Sequence, residues 1–471
     1  MARVDRAPAA PSPAGEGGAN GELTSTARPA EYVLAPLSRS RTVRHALRLL
    51  PLLATLALGA CRTAAPGPDA APAAVASAPD VAPLILVSLD GFRHDYFGKA
   101  PTPTLDRIAA EGVRAERMVP VFPSLTFPNH YSLVTGLYPE EHGIVGNSMF
   151  DPEFAAARTD STFSLGDAEA VTDAKWWGGE PIWATAERQG LRAGTLFWPG
   201  SEAPIGGVRP SRWLPYDDDL AYEARVDTVL AWLDLPAERR PSLLTLYFSA
   251  VDGAGHEHGP DSPEVEEAIG RVDRALARLV AGLEARGLYG RTNVVVVSDH
   301  GMAALSPKRV AYLDDALDLD ADVERVLYGA TTLIWPRPGR EDAVVEALRK
   351  LQHVEVYRRE EVPERLHFRD HRRIAPVVAV ADVGWTLTTR DYVERRGGPT
   401  GGTHGYDNRA PEMGAILLAR GPAFRSGATV GEVSAVDLYN VMAAALGLRP
   451  APNSGDPAVL QSLLRPGVAG D

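Results

Sequence analysis

Residues Pro83 to Asp90 read PLILVSLD, and residues Asn293 to His300 read NVVVVSDH. Both are unbroken apolar runs that stop on chemically loaded side chains. A strand with one wet face would alternate apolar and polar residues, so a continuous run predicts a strand buried on both faces, as in a parallel sheet covered by helices. Two more runs have this character: SLLTLYFSAVD, ending at Asp252, and GAILLARG, starting at Gly414. Between them lie helical patterns: PTLDRIAAEG, EPIWATAERQG, and the long stretch Ser262 to Gly287, which has apolar residues at helical spacing and a glycine as its stop. The expected fold is α/β, a mostly parallel central sheet sandwiched between helices. Ligands in such sheets gather at the carboxyl ends of the strands, and three of the four runs place an Asp there.

Working outward, the pattern changes between about Ala311 and Thr400, where TTLIWPRP, EDAVVEALRKLQ, VEVYRRE and PVVAVADVGWTLTT predict a small inserted α+β cap subdomain. The expected organisation is therefore a core over residues 83–310 and 401–471, with the tail in the second part and the cap at 311–400 between them. Residues 61–82, RTAAPGPDAAPAAVASAPDVA preceded by Cys61, read as a flexible tether. Residues 1–60 end in RTVRHALRLLPLLATLALGAC, a basic flank followed by an apolar run and small residues, the pattern of an export signal. The run Leu49 to Gly59 is shorter than the roughly 20 residues of a permanent span. Its ending LGAC resembles the lipobox of bacterial lipoproteins, so Cys61, the chain's single cysteine, is expected to carry a lipid and hold the body at a membrane in the periplasm or on the outer membrane. An ordinary secretory signal with an incidental cysteine is the alternative. Residues 1–40 precede the basic flank, and a mis-called start codon would account for them.

A chain of 471 residues with 45% hydrophobic and 23% charged residues can bury a large core, which excludes general disorder. Its net charge is −13; seven arginines and four acids in residues 1–60 leave −16 from Cys61 onward. That balance excludes duplex nucleic acid as a partner, but it is compatible with a small anionic substrate if metal ions supply local positive charge.

The candidate ligands stand at the strand ends: Asp90, Asp252, His256, Asp299, His300 and His404. Mixed carboxylate and imidazole donors suit Zn²⁺, with Mn²⁺ or Fe as weaker candidates. In DGAGHEHG, two glycines would allow a tight turn to present Asp252 and His256 to one ion; in GGTHGYDN, a glycine-rich loop offers His404. His94, His130, His142 and His258 are left outside the set. Thr126, in FPSLTFPNH, sits between two Phe-Pro pairs with Pro128 suited to a helix's first turn, so it is expected at a helix entrance, either as an N-cap or as a functional hydroxyl.

Six segments, LVSLDGFRHDYF, PVFPSLTFPNHYSLVTGLYPEEHGIVGN, WWGGEPIWATAERQG, YFSAVDGAGHEHGP, VVVVSDHGM and GGTHGYDN, together resemble the nucleotide pyrophosphatase/phosphodiesterase family of the alkaline phosphatase superfamily. The resemblance implies two zinc ions per chain, one at Asp90, Thr126, Asp299 and His300, the other at Asp252, His256 and His404. It implies Thr126 as the nucleophile, a nucleotidyl-threonine intermediate and release of a nucleoside 5'-monophosphate. Asn147 matches the residue that donates a hydrogen bond to a phosphoryl oxygen, although Gly146-Asn147 is also good turn chemistry. Phe127 and Tyr247 match aromatics that sandwich a nucleobase, and Trp176 and Trp177 either line that region or pack beneath it. The rivals are a phosphomonoesterase, for which Lys175 is the one candidate extra cation, a lipid-head-group diesterase, and a noncatalytic metal-dependent binding protein.

Overall fold

The computed structural model describes residues 81–468. The leader, Cys61 and nearly all of the tether lie outside the described residues. Within them, no helix is long and apolar enough to cross a membrane.

The strands of the two larger sheets, in chain order, are β1 (Leu84–Leu89), β2 (Val113–Val119), β3 (Ala193–Leu196), β4 (Arg212–Leu214), β5 (Leu243–Phe248), β6 (Asn293–Val297), β7 (Val323–Leu327), β8 (Thr331–Pro336), β9 (Val354–Arg358), β10 (Val377–Ala381), β11 (Leu417–Arg420) and β12 (Ala428–Ser434). Eight of them form the central sheet in the order β12-β2-β11-β6-β1-β5-β3-β4. All neighbours pair in parallel except β11, which runs antiparallel to both β2 and β6. The GAILLARG run is therefore the antiparallel strand of a mostly parallel sheet.

The continuous hydrophobicity has a direct cause. Leu84 and Leu86 of β1, with Val295 and Val297 of β6, enter the core on one face. Ile85, Val87, Leu89, Val294 and Val296 enter the core on the other. Every position of these strands is out of water, so no alternation is left in the sequence.

The helices used below are α1 (Pro103–Glu111), α2 (Thr126–Thr135), α3 (Tyr222–Leu233), α4 (Ala250–His258), α5 (Pro263–Ala285) and α6 (Leu438–Ala445). Helix α5 buries Val265, Ile269, Val272, Leu276, Leu279 and Leu283 along one stripe, and Ser262 caps it by accepting from the Val265 N–H. It stops before Gly287, whose φ of +64° is the left-handed conformation of a helix terminator. The buried Asp273 of α5 in turn accepts from the Thr104 and Leu105 N–H groups and closes the start of α1.

Strands β7, β8, β10 and β9 make a separate four-stranded sheet, antiparallel throughout, with its own core. Its buried contacts go to the flank of the central site. Phe368 packs edge-on against Phe122 (5.3 Å), Trp335 against Phe150 (5.6 Å), and the Thr331 hydroxyl donates to the Gly405 carbonyl (2.7 Å). Residues 331–368 thus brace the segments that carry Thr126, Asn147 and His404.

Candidate active site

The site forms where β1, β5 and β6 end. Asp90 follows β1 directly and Asp299 and His300 follow β6 within three residues. The strand of SLLTLYFSAVD stops at Phe248, and Asp252 lies in the first turn of α4. The expected tight turn is a helix: Asp252 and His256 stand at i and i+4 on one face, with His256 Nε2 3.4 Å from Asp252 Oδ2. Gly91 brings β1 and α4 together. Its φ is +66°, and a Cβ there would fall 2.8 Å from the Asp252 Cα, so only glycine permits this approach.

The donors fall into overlapping groups. Asp252, His256 and His404 form one, Asp90, Asp252 and His300 a second, and Asp90, Asp299 and His130 a third. His300 Nε2 lies 3.0 Å from Asp299 Oδ2 and 3.6 Å from Asp90 Oδ1, and His404 Nε2 lies 3.7 Å from Asp252 Oδ1. The His300 and His404 rings stack with centroids 3.5 Å apart. All six expected carboxylate and imidazole residues are therefore brought together.

Three observations show that this donor set fits cations. First, Asp90 Oδ1, Asp252 Oδ1 and Asp299 Oδ2 are buried oxygens without a hydrogen-bond partner. An orphaned buried carboxylate oxygen is costly. Second, His256 Nδ1, His300 Nδ1 and His404 Nδ1 each lie 2.8–3.0 Å from a backbone carbonyl, those of Gly402, Gly301 and Ser124. A carbonyl only accepts, so each ring carries a proton on Nδ1 and turns Nε2 inward, leaving Nε2 as the nitrogen a metal would take. Third, His256 Nε2 and His404 Nε2 face each other at 3.1 Å, two lone pairs that a shared cation would bridge. The electrostatics agree. Burial, with Asp299 and Asp252 beside it, pushes the Asp90 carboxyl well above the usual carboxylate range. Burial and the imidazoles of His300 and His256 hold His404 well below its ordinary value. For Asp299, burial acts upward, but His300 and His130 outweigh it and the carboxyl lies well below its ordinary range.

Thr126 is the first residue of α2, and Leu125 is the N-cap, with no side-chain cap bond. The capping role therefore does not fall to Thr126. Its hydroxyl lies 3.4 Å from His300 Nε2, facing the donor cluster. The Phe127 N–H, one of the free donors of the first turn, is taken by Asn147 Oδ1 at 2.9 Å. That bond fixes the amide orientation and leaves the Asn147 NH₂ free to donate.

His130, left out of the ligand set, belongs to the site in another role. Its Nδ1 lies 2.9 Å from the Thr126 carbonyl and 3.3 Å from Asp299 Oδ2, and its Nε2 lies 2.8 Å from Ser88 Oγ. Both ring nitrogens are occupied, so it holds Asp299 and the first turn of α2 in place. The available signal was its position four residues after Thr126, on the same helix face.

Tyr247 does not stand free as a stacking surface. It is 8% exposed, its hydroxyl donates to Asp90 Oδ2 at 2.5 Å, and His130 packs against its ring. It orients the Asp90 carboxylate instead. The exposed ring is Tyr216, 49% exposed, which packs edge-on against Phe197 and Tyr247 and whose hydroxyl donates to Asp218 Oδ1. Only a short apolar-to-acidic transition, LPYDDD, marks it in the sequence. Phe127 is half-buried, with Trp177 tilted against it at 6.0 Å and Phe163 at 5.9 Å. Trp176 and Trp177 are buried, so they are the packing beneath the platform. Lys175 pairs with Asp173 at 3.0 Å and is not a partner of Thr126 or Asn147.

Carboxylates and imidazoles gathered at the strand ends of an α/β sheet, around a hydroxyl at a helix entrance, place the chain in the class of α/β folds that present a donor cluster suited to metal ions at the strand ends. Within that class the particular family is also shown. Residues 84–407 match the model of the type I phosphodiesterase / nucleotide pyrophosphatase family, and the chain belongs to it. It is 40% identical to a venom phosphodiesterase of Naja atra over 399 residues, 82% of this chain and 47% of that protein. It is 39% identical to ectonucleotide pyrophosphatase/phosphodiesterase family member 1 of Mus musculus over 395 residues, 81% of this chain and 43% of that protein. The chain thus spans about half the length of the curated relatives it matches. Among solved structures, murine ectonucleotide pyrophosphatase/phosphodiesterase 5, an inactive variant in complex with AMP, superposes with a TM-score of 0.76 at 37% identity, covering 81% of this chain and 100% of that one.

Proposed function

We propose that this protein is a two-zinc phosphodiesterase that hydrolyses nucleotide phosphodiester or pyrophosphate bonds through a covalent nucleotidyl-threonine and releases a nucleoside 5'-monophosphate. The observation that carries this reading is the placement of Thr126: first residue of α2, not a cap, with its hydroxyl facing a cluster of orphaned carboxylate oxygens and inward-turned imidazoles. Zinc held by Asp90, Thr126, Asp299 and His300, and by Asp252, His256 and His404, would supply positive charge at the attacking and leaving oxygens and lower the pKa of the hydroxyl and of water.

The chain's own groups do the rest. The first turn of α2 presents the Thr126 N–H and the positive end of the helix dipole to the phosphoryl oxygens; the Phe127 N–H is taken by Asn147 and Pro128 has none. The Asn147 NH₂ donates to a non-bridging oxygen, where negative charge grows in the transition state. Thr126 Oγ gives its proton to solvent and forms a bond to phosphorus as the bond to the departing alcohol or phosphate oxygen breaks, that oxygen leaving as an anion or taking a proton back from solvent. A water oxygen then bonds to phosphorus, the Oγ–P bond breaks, and the threonine hydroxyl is restored. Phe127 and Tyr216 stack on the base, which the AMP held by the murine relative supports as the ligand class. Stacking accepts any base, so base preference is modest. Lys175 is paired with Asp173, not with Thr126 or Asn147, so it is not an added cation beside them for the second charge of a terminal phosphate. This favours diesters over monoesters.

The test compares rate constants of the zinc-loaded protein on thymidine 5'-monophosphate p-nitrophenyl ester, bis-p-nitrophenyl phosphate and p-nitrophenyl phosphate. Both diesters are expected to react much faster than the monoester. Tyr216→Ala is expected to raise KM for the nucleotide ester about tenfold, from ~1–3 kcal/mol of stacking per base, and to change bis-p-nitrophenyl phosphate less. A monoester preference would move the protein to the phosphatases.

A further inference from the structure

Arg373 belongs to the inserted subdomain, yet its guanidinium is buried in the core segment that carries Asn147. It is 3% exposed. Nε donates to Asp151 Oδ2 at 2.7 Å, Nη1 to the carbonyls of Gly143 (2.7 Å) and Trp176 (2.8 Å), and Nη2 to the carbonyl of Lys175 (3.3 Å). Asp151 is fully buried; it also accepts from Arg372 and from the Glu153 and Phe154 N–H groups.

Two of these bonds fall at Gly143 and Asp151, four residues before and four residues after Asn147. One rigid fork therefore fixes both ends of the segment whose midpoint is the proposed phosphoryl-oxygen donor. The centre of the segment has anchors of its own: the Asn147 carbonyl accepts from the Leu165 N–H, its Oδ1 accepts from the Phe127 N–H, and Ser148–Phe150 pairs antiparallel with Thr162–Ser164. Arg373 is the side chain that ties both ends of this unit at once. The approach at Gly143 is as close as the backbone allows. Its φ is +79°, and a Cβ there would lie 2.9 Å from His371 Nε2 and 3.0 Å from Arg373 Nη1. A lysine, with a point charge and no fork, cannot hold the carbonyls and the carboxylate at once.

We infer that Arg373 is a positioning residue for phosphoryl transfer: its buried pair with Asp151 sets the height of the 143–151 segment and so places the Asn147 amide against the transition state. This rests on the phosphodiesterase reading above. A donor misplaced by about 1 Å costs up to about 100-fold in rate while substrate binding is little changed.

The test is a double-mutant cycle on zinc-loaded protein with bis-p-nitrophenyl phosphate, which has no base and so does not involve the aromatic platform. Arg373→Lys is expected to lower kcat about 10- to 100-fold with KM changed less than about threefold and zinc content unaltered. In an Asn147→Ala background the same change is expected to lower kcat by less than about threefold, because the group it positions is already gone. Asp151→Asn, which keeps the size of the partner, is expected to repeat the pattern. Equal losses in both backgrounds would overturn the inference and make Arg373 an ordinary stabilising residue, as would failure of both variants to fold. An inactive wild type would overturn the phosphodiesterase reading together with this one, whereas an active wild type with additive losses sinks only this one.

Discussion

Thr126→Ala is expected to abolish diester hydrolysis, with kcat falling about 10⁴-fold or more, while the protein keeps its fold. The size of the loss follows from the chemistry: removing the nucleophile of a two-step reaction leaves only binding and electrostatic stabilisation, and losses of about four to six orders of magnitude are typical. The neutrality of the fold follows from the geometry. Thr126 caps nothing, is half-buried, and its hydroxyl has one long contact, 3.4 Å to His300 Nε2. Alanine is also a good helix former at the first position of α2. Thr126→Ser, which restores a hydroxyl, is expected to recover part of the rate. The direct readout is acid quenching of a single turnover followed by mass measurement of the peptide that contains residue 126. A nucleotidyl adduct is expected in the wild type and none in Thr126→Ala. A fully active Thr126→Ala protein would remove the hydroxyl from the mechanism.

Much of the architecture could be read because the central strands are buried on both faces. Continuous runs such as LILVSL leave few other possibilities. Direction could not be read from them: Leu417–Ala419 are as buried and apolar as the parallel strands, although Leu417–Arg420 runs antiparallel to both its neighbours, and a doubly buried strand carries no mark of which way it runs. The turn at Asp252 was misjudged for a different reason. Two glycines in DGAGHEHG weaken a helix by about 1 kcal/mol each, but α4 packs along α5 and its i, i+4 face holds two donors, so tertiary contacts override local preference.

The donor residues were legible because each follows an apolar run or sits in a glycine-rich loop, and because their order resembles one family. The supporting residues were not. His130 reaches Ser88 across 42 positions, and Arg373 reaches Asp151 across 222. No local pattern encodes such pairings. Tyr247 and Tyr216 show the same limit within one pocket: both are aromatics near the site, and only their burial separates the ring that orients Asp90 from the ring that is free to stack.

Removal of the metal is expected to cost as much activity as removal of the nucleophile, and to lower stability as well. Chelation followed by gel filtration should reduce diesterase activity about 10⁴-fold or more, with recovery on adding Zn²⁺, and the metal content of the wild type should be two equivalents per chain. His404→Ala, which deletes a donor from the Asp252 and His256 group, should retain about one equivalent and little activity. The stability effect has a definite pH window. In the metal-free protein the Asp90 pKa is raised by burial and by Asp299 and Asp252, so its favourable contribution is complete below the ordinary carboxylate value and is lost as pH rises through the raised one. Asp299, depressed by His300 and His130, works in the opposite sense, but its contribution is lost only below the ordinary value, where Asp90 is already neutral. The two windows do not overlap. Above about pH 4 Asp90 therefore acts to lower the stability of the metal-free protein as pH rises, against His404, whose depressed pKa acts in the opposite sense. The gap in Tm between loaded and stripped protein should widen as pH rises through the Asp90 titration, because bound cations would hold Asp90 in its ionised form and satisfy the orphaned oxygens of Asp90, Asp252 and Asp299. A stripped protein that keeps full activity, or a Tm gap that closes with rising pH, would mean that these carboxylates do not form a metal centre.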